Sequence, residues 1–139
     1  MAPEVTIKLS AVLVAALAKM ALGAFWYSPR VCGAKWLALM GWSGKEIRQQ
    51  QRRAPRAYLV TFVGALVLAY FLAHFIVLMK AQTPAYGALV GVWVWLGFVA
   101  TTSLSGYLFD GRPMALYAVN QGYELAAFIV MGVLLAVML

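Results

Sequence analysis

Charge is scarce in this chain. Only 11% of its 139 residues are Asp, Glu, Lys or Arg, and just four are acidic. A soluble domain carries roughly 25% charged residues, so this chain lacks the polar groups needed to cover itself in water. The 65% hydrophobic content gives the same reading from the other side, and the expected solution is a single domain, 1–139, in lipid. Cysteine is almost absent. The lone Cys32 excludes an internal disulfide and leaves the redox compartment unspecified. Histidine occurs once, at His74, which is too few for a metal site, since metals take several ligands. No metal, no cofactor and no catalytic residue are expected. No nucleotide-binding motif is present.

What is present is a set of four long apolar runs. They cover about residues 5–27, 58–79, 87–109 and 114–139, and a spanning helix needs about 20 apolar residues. Helices are expected rather than a barrel because the runs do not alternate and lipid forces each backbone group to bond within its own segment. Leu9 to Ala18, with Ala16-Leu17-Ala18, has the look of a secretory signal's apolar region and cleavage site. The residues before Lys8 carry no positive charge, so an ordinary first span is expected instead. The fold class is an all-α integral membrane protein, a bundle of four transmembrane helices with a short interfacial helix between the first two.

The net charge of +7 is unevenly placed. Seven of the eleven basic residues lie in the stretch 30–56, from Arg30 to Arg56. With Arg112 they mark one side, and Lys8 and Lys80 mark the other. Basic loops stay cytoplasmic, so both termini are expected outside, in a bacterial inner membrane. A basic segment between apolar runs faces anionic lipid more simply than nucleic acid, and no nucleic-acid partner is expected. Within this loop, Ser28-Pro29 reads as an N-cap and first helical position, with a helix running to Met40 and stopping at Gly41. Ser43-Gly44-Lys45-Glu46 matches a capping box, opening a polar helix expected to end before Pro55. Asp110-Gly111-Arg112-Pro113 is a tight turn, which makes the last two spans antiparallel neighbours.

Ionisable residues inside spans are functional candidates by default. Lys19 lies eight residues before Tyr27, about 12 Å from the basic side, and Glu124 ten residues after Met114, about 15 Å from it. An ion pair between them is geometrically allowed. It would serve as a structural clamp or as a proton or ion relay, unless Lys19 snorkels to the surface. Asn120 and Gln121 accompany Glu124, and Thr101, Thr102, Ser103 and Ser105 lie in the same half of the third span. These could line a polar cavity or simply bond their own backbone. His74 reads as a packing histidine. Small residues at Ala11, Ala15, Gly23, Gly87, Gly91, Ala118, Gly122 and Ala126 mark close helix contacts, within the chain or between copies.

Two stretches are familiar. Gly23-Ala24-Phe25-Trp26-Tyr27-Ser28-Pro29, with Gly33, Trp36 and Met40-Gly41, is one. Gly111-Arg112-Pro113, with Asn120, Gly122, Tyr123 and Met131-Gly132, is the other. Together they resemble the DUF1761 family, small bacterial and fungal membrane proteins of unknown function. The resemblance implies a four-span fold and no stated activity. In that family a lysine often follows the glycine directly. Here Ala34 stands between Gly33 and Lys35, so no role for Lys35 is carried over. The two motifs together define an expected inner-interface site of Trp26, Tyr27, Ser28, Pro29, Gly111, Arg112, Pro113 and Asn120.

Three functions compete. The first is a homo-oligomeric carrier or channel-like bundle for a small solute or ion, using Lys19, Glu124 and Asn120. The second is an accessory subunit of a larger complex, with Trp93 and Trp95 turned toward partners or lipid. The third is a lipid-acting enzyme built on Asp110, Arg112 and Glu46, the least supported of the three.

Overall fold

The computed structural model describes residues 4–139, so residues 1–3 of the expected domain lie outside the described chain. All secondary structure among the described residues is helical. Helix α1 is Leu9–Trp26, α2 Gly33–Met40 and α3 Gly44–Leu78. Helix α4, Pro84–Val94, passes through a π-helical stretch, Trp95–Ala100, into α5, Thr101–Phe109. Helix α6 is Met114–Met138. Since α4, the π stretch and α5 form one rod, Pro84–Phe109, the described residues form five continuous helices. Four of these, Leu9–Trp26, Gly44–Leu78, Pro84–Phe109 and Met114–Met138, are long and apolar enough to cross a membrane.

Local chemistry explains most of the boundaries. The Ser43 hydroxyl accepts from the Glu46 amide at 3.3 Å, and the Glu46 carboxylate accepts from the Ser43 amide at 2.9 Å. These two bonds satisfy orphan donors at the start of α3. Thr83 caps α4 through the Tyr86 amide, with Pro84 at the first position. Gly41 and Gly111 follow α2 and α5 with φ of 66° and 67°, the left-handed region glycine enters without steric cost. Helix α3 ends the same way but on Lys80, at φ 53°. The Ala81 amide reaches Ile76 O and the Lys80 amide reaches Val77 O, both at 3.0 Å, the paired bonds of a Schellman end.

Two expected boundaries are corrected. The short helix starts at Gly33 rather than Pro29, because the Ser28 hydroxyl turns back to Phe25 O at 2.7 Å and caps nothing. The residues between form a tight turn in which the Val31 and Gly33 amides both reach Ser28 O. The polar helix does not end before Pro55. It runs through that residue into the apolar part of α3 as one 35-residue helix. Proline removes the donor to the carbonyl four residues back. That carbonyl belongs to Gln51, which is exposed, so water can satisfy it.

Helix α6 is the hub, packed against α1 on one side and α4 on another, with α3 closing over α1 and α6. The core joins Ala11, Val12 and Ala15 of α1 with Ala69, Leu72, Ala73 and Ile76 of α3. Val90 of α4 and Phe128, Met131 and Leu135 of α6 complete it. The contact between α4 and α6 is backbone on backbone. A Cβ on Gly87 would strike Gly132 O, one on Gly91 would strike Phe128 O, and one on Gly132 would strike Gly87 O. The Gly87 and Gly91 spacing therefore marks packing within the chain.

This core fills only one half of the molecule. It is the half holding Lys80 and the C-terminus, where Lys8 Nζ donates to Met138 O at 3.2 Å. In the other half α3 departs from its neighbours: every residue from 55 to 61 is exposed, Tyr58 to 67% of its surface.

Candidate functional site

The site starts from a lysine held among buried residues. Lys19 continues the ridge of Ala11 and Ala15, both fully buried, one helical turn apart. Its side chain is only 8% exposed, and Nζ lies 3.0 Å from Glu124 Oε2. Lys19 does not snorkel in this arrangement, and the pair is formed. Nζ also donates to the Tyr123 hydroxyl at 3.3 Å and sits 4.5 Å from the centroid of that ring. The Tyr123 hydroxyl in turn donates to Lys19 O at 3.0 Å. Gly23 makes room for it, since a Cβ there would come within 3.0 Å of the tyrosine oxygen.

Glu124 differs from its lysine partner in access. It shares a face of α6 with Gln121, Phe128, Met131 and Leu135, spaced three, four, seven and eleven residues away, all of them buried. Yet its own side chain is 28% exposed. Oε2 binds Lys19, and Oε1 accepts no hydrogen bond among the described residues.

A second cluster lies one turn nearer the basic end. Asn120 Oδ1 accepts from the Tyr27 hydroxyl at 2.8 Å, and Asn120 Nδ2 donates to the Tyr107 hydroxyl at 2.6 Å. The Tyr27 ring meets Tyr123 edge-on at 5.4 Å and Trp36 at 5.9 Å, which ties α2 to the cluster. Trp26 Nε1 donates to Val119 O at 3.1 Å, its ring lying over Gly122. Gln121 is buried and accepts from Trp95 Nε1 at 3.0 Å. The Tyr117 hydroxyl donates to Ala100 O at 2.7 Å, where the π stretch ends. Such stretches are frequent at functional sites.

The structure therefore gathers Lys19, Glu124, Asn120, Gln121, Trp26 and Tyr27, and leaves other expected residues apart. Thr102 is exposed, its hydroxyl bonded to Phe98 O at 2.6 Å. Thr101 bonds Gly97 O and Ser105 bonds Thr102 O. Hydroxyls in helices readily satisfy themselves this way, so Thr101, Thr102 and Ser105 do not line the cluster. Ser28 and Pro29 shape the turn after α1. Gly111 and Pro113 shape the turn before α6. Arg112 pairs with Asp110 at 3.4 Å on the surface and reaches the cluster only through the Tyr107 ring, 5.4 Å away. Trp95 faces inward to Gln121, whereas Trp93 is exposed. His74 Nδ1 lies 2.9 Å from Tyr70 O, its ring packed on Tyr70 and Phe71.

Sequence reasoning missed Tyr107 and Tyr117, turned Trp95 outward to partners or lipid where it faces Gln121, and gave Tyr123 only as part of a motif. The available signal was the polar tip of each ring, which must find a partner once buried. No curated protein and no solved structure matches the chain. A family model described as "Protein of unknown function (DUF1761)" matches residues 10–136.

Proposed function

We propose that this chain, which belongs to the DUF1761 family, crosses a bacterial inner membrane four times as a helical bundle and carries a small solute or ion. The single observation behind this reading is the Lys19–Glu124 pair. It is buried on the lysine side and open on the carboxylate side, in helices otherwise almost free of charge. A buried ion pair is weak support for stability, since desolvation offsets the attraction. A pair with one accessible partner is better suited to exchange a proton or an ion.

The 28% exposure of Glu124 supports access to its carboxylate. Positive loops favour the cytoplasm, so the proposed topology has the basic end inside and both termini outside. Helix α3, at about 52 Å, exceeds a hydrocarbon core of about 30 Å, so its basic start protrudes. Arg56, Arg53 and Arg52 would lie nearest anionic headgroups. Four helices enclose little space, and the uncovered part of α3 favours a homo-oligomer.

Flux measured in proteoliposomes with a pH-sensitive dye inside tests the carrier. Wild type should dissipate an imposed proton gradient, and Glu124→Gln should not. Undiminished flux through Glu124→Gln rejects this function.

A further inference from the structure

The surroundings of Lys19 Nζ have a definite chemical character. One carboxylate oxygen stands at 3.0 Å, one phenolic oxygen at 3.3 Å, and one aromatic face at 4.5 Å. A carboxylate beside a ring face is the arrangement that binds an ammonium group, through charge-assisted hydrogen bonds and cation–π attraction. The ammonium held there in this structure belongs to the protein itself.

We infer that the Glu124–Tyr123 box is a binding site for a primary ammonium, that Lys19 is its resident occupant, and that a small amine solute takes the place of Lys19. This rests on the carrier reading and names the substrate class of the same site. Three observations converge on it. The carboxylate keeps Oε1 unpartnered among the described residues and its side chain 28% exposed, so the box can be reached by a cation as Lys19 leaves. The long lysine stem lets its ammonium swing toward water while the helix stays in place. The box is also built to last without the lysine side chain, because the Tyr123 hydroxyl is anchored on Lys19 O, a backbone group. A second cation beside Lys19 would be repelled in a low-dielectric setting, so solute and Lys19 occupy the box in turn. Mutual exclusion of this kind resets the site after each release.

Chemical complementation tests the assignment. Lys19→Ala removes three methylenes and the ammonium, a fragment equal to n-propylammonium. The full-length variant in detergent is titrated with n-propylammonium chloride by calorimetry. Binding at least tenfold tighter than to wild type is expected. n-Propanol, lacking charge, and tetramethylammonium, lacking an N–H donor, should bind no better to the variant than to wild type. The double variant K19A/E124Q should lose the gain. Equal affinity of wild type and Lys19→Ala for propylammonium overturns the proposal, as does a gain that survives in the double variant. If Lys19→Ala aggregates, recovery of monodisperse protein is compared in propylammonium and in tetramethylammonium. Selective recovery in propylammonium supports the site, and equal failure in both overturns it. Amine binding without flux would instead sink the carrier and leave the site standing.

Discussion

At the scale of single residues, Lys19 and Glu124 act as one group. Deleting either leaves the other charged and without its partner in an apolar setting. Lys19→Met or Glu124→Gln alone should each cost about 3 kcal/mol, the low end for a broken buried pair because Glu124 retains some exposure. The double variant K19M/E124Q should lose much less than the sum, and thermal midpoints in detergent across the cycle would show the coupling. The pair was legible in the sequence because two isolated charges at matched depth in antiparallel helices have few other places to go. Tyr123 was not, since a tyrosine in an apolar run reads as packing until the opposing Gly23 is known. Thr102 misled for the opposite reason: its hydroxyl is polar in composition but already satisfied by Phe98 O.

At the scale of elements, the helix ends and the glycine seam carry the argument. Lys80 holds a left-handed conformation that glycine adopts more easily, so Lys80→Gly should stabilise the chain by about 1 kcal/mol, seen as a higher melting temperature. Gly132→Ala should do the reverse. With backbone atoms of α4 facing it, an added methyl forces the helices apart and should cost about 1–3 kcal/mol. The capping box of α3 could be read directly, since both of its bonds join side chains and amides three residues apart. The start of α2 could not. Ser28 has the residue type of a cap, but a turn that folds back on α1 claims its hydroxyl. Pro55 was misread as a stop: it stands inside α3, and the carbonyl that its missing N–H leaves free, that of Gln51, is exposed and can be hydrated. Hydrogen exchange should expose the difference within α3: amides from Lys45 to Tyr58 should exchange well before those from Ala69 to Ile76, which are packed against α1 and α6.

For the whole molecule, the four apolar runs and the clustering of basic residues on alternate loops were visible in the sequence alone, because the length and charge rules for spanning helices need no knowledge of contacts. The departure of α3 was invisible, as it depends on which faces find a neighbour. Sidedness can be mapped on a Cys32→Ser background. Single cysteines at Arg48 and Gly111 should react with a membrane-impermeant maleimide from the same side, and one at Thr83 from the other. Labelling of all three from one side would contradict four crossings. The separation of Lys19 from Glu124 along the chain, 105 residues, also bears on biosynthesis. At ~5–20 residues per second, the ribosome releases the first helix roughly 5–20 s before the last. On the four-crossing reading, a nascent chain carries an unpaired ammonium for that interval, and stop codons introduced before α6 should yield fragments that quality-control proteases remove.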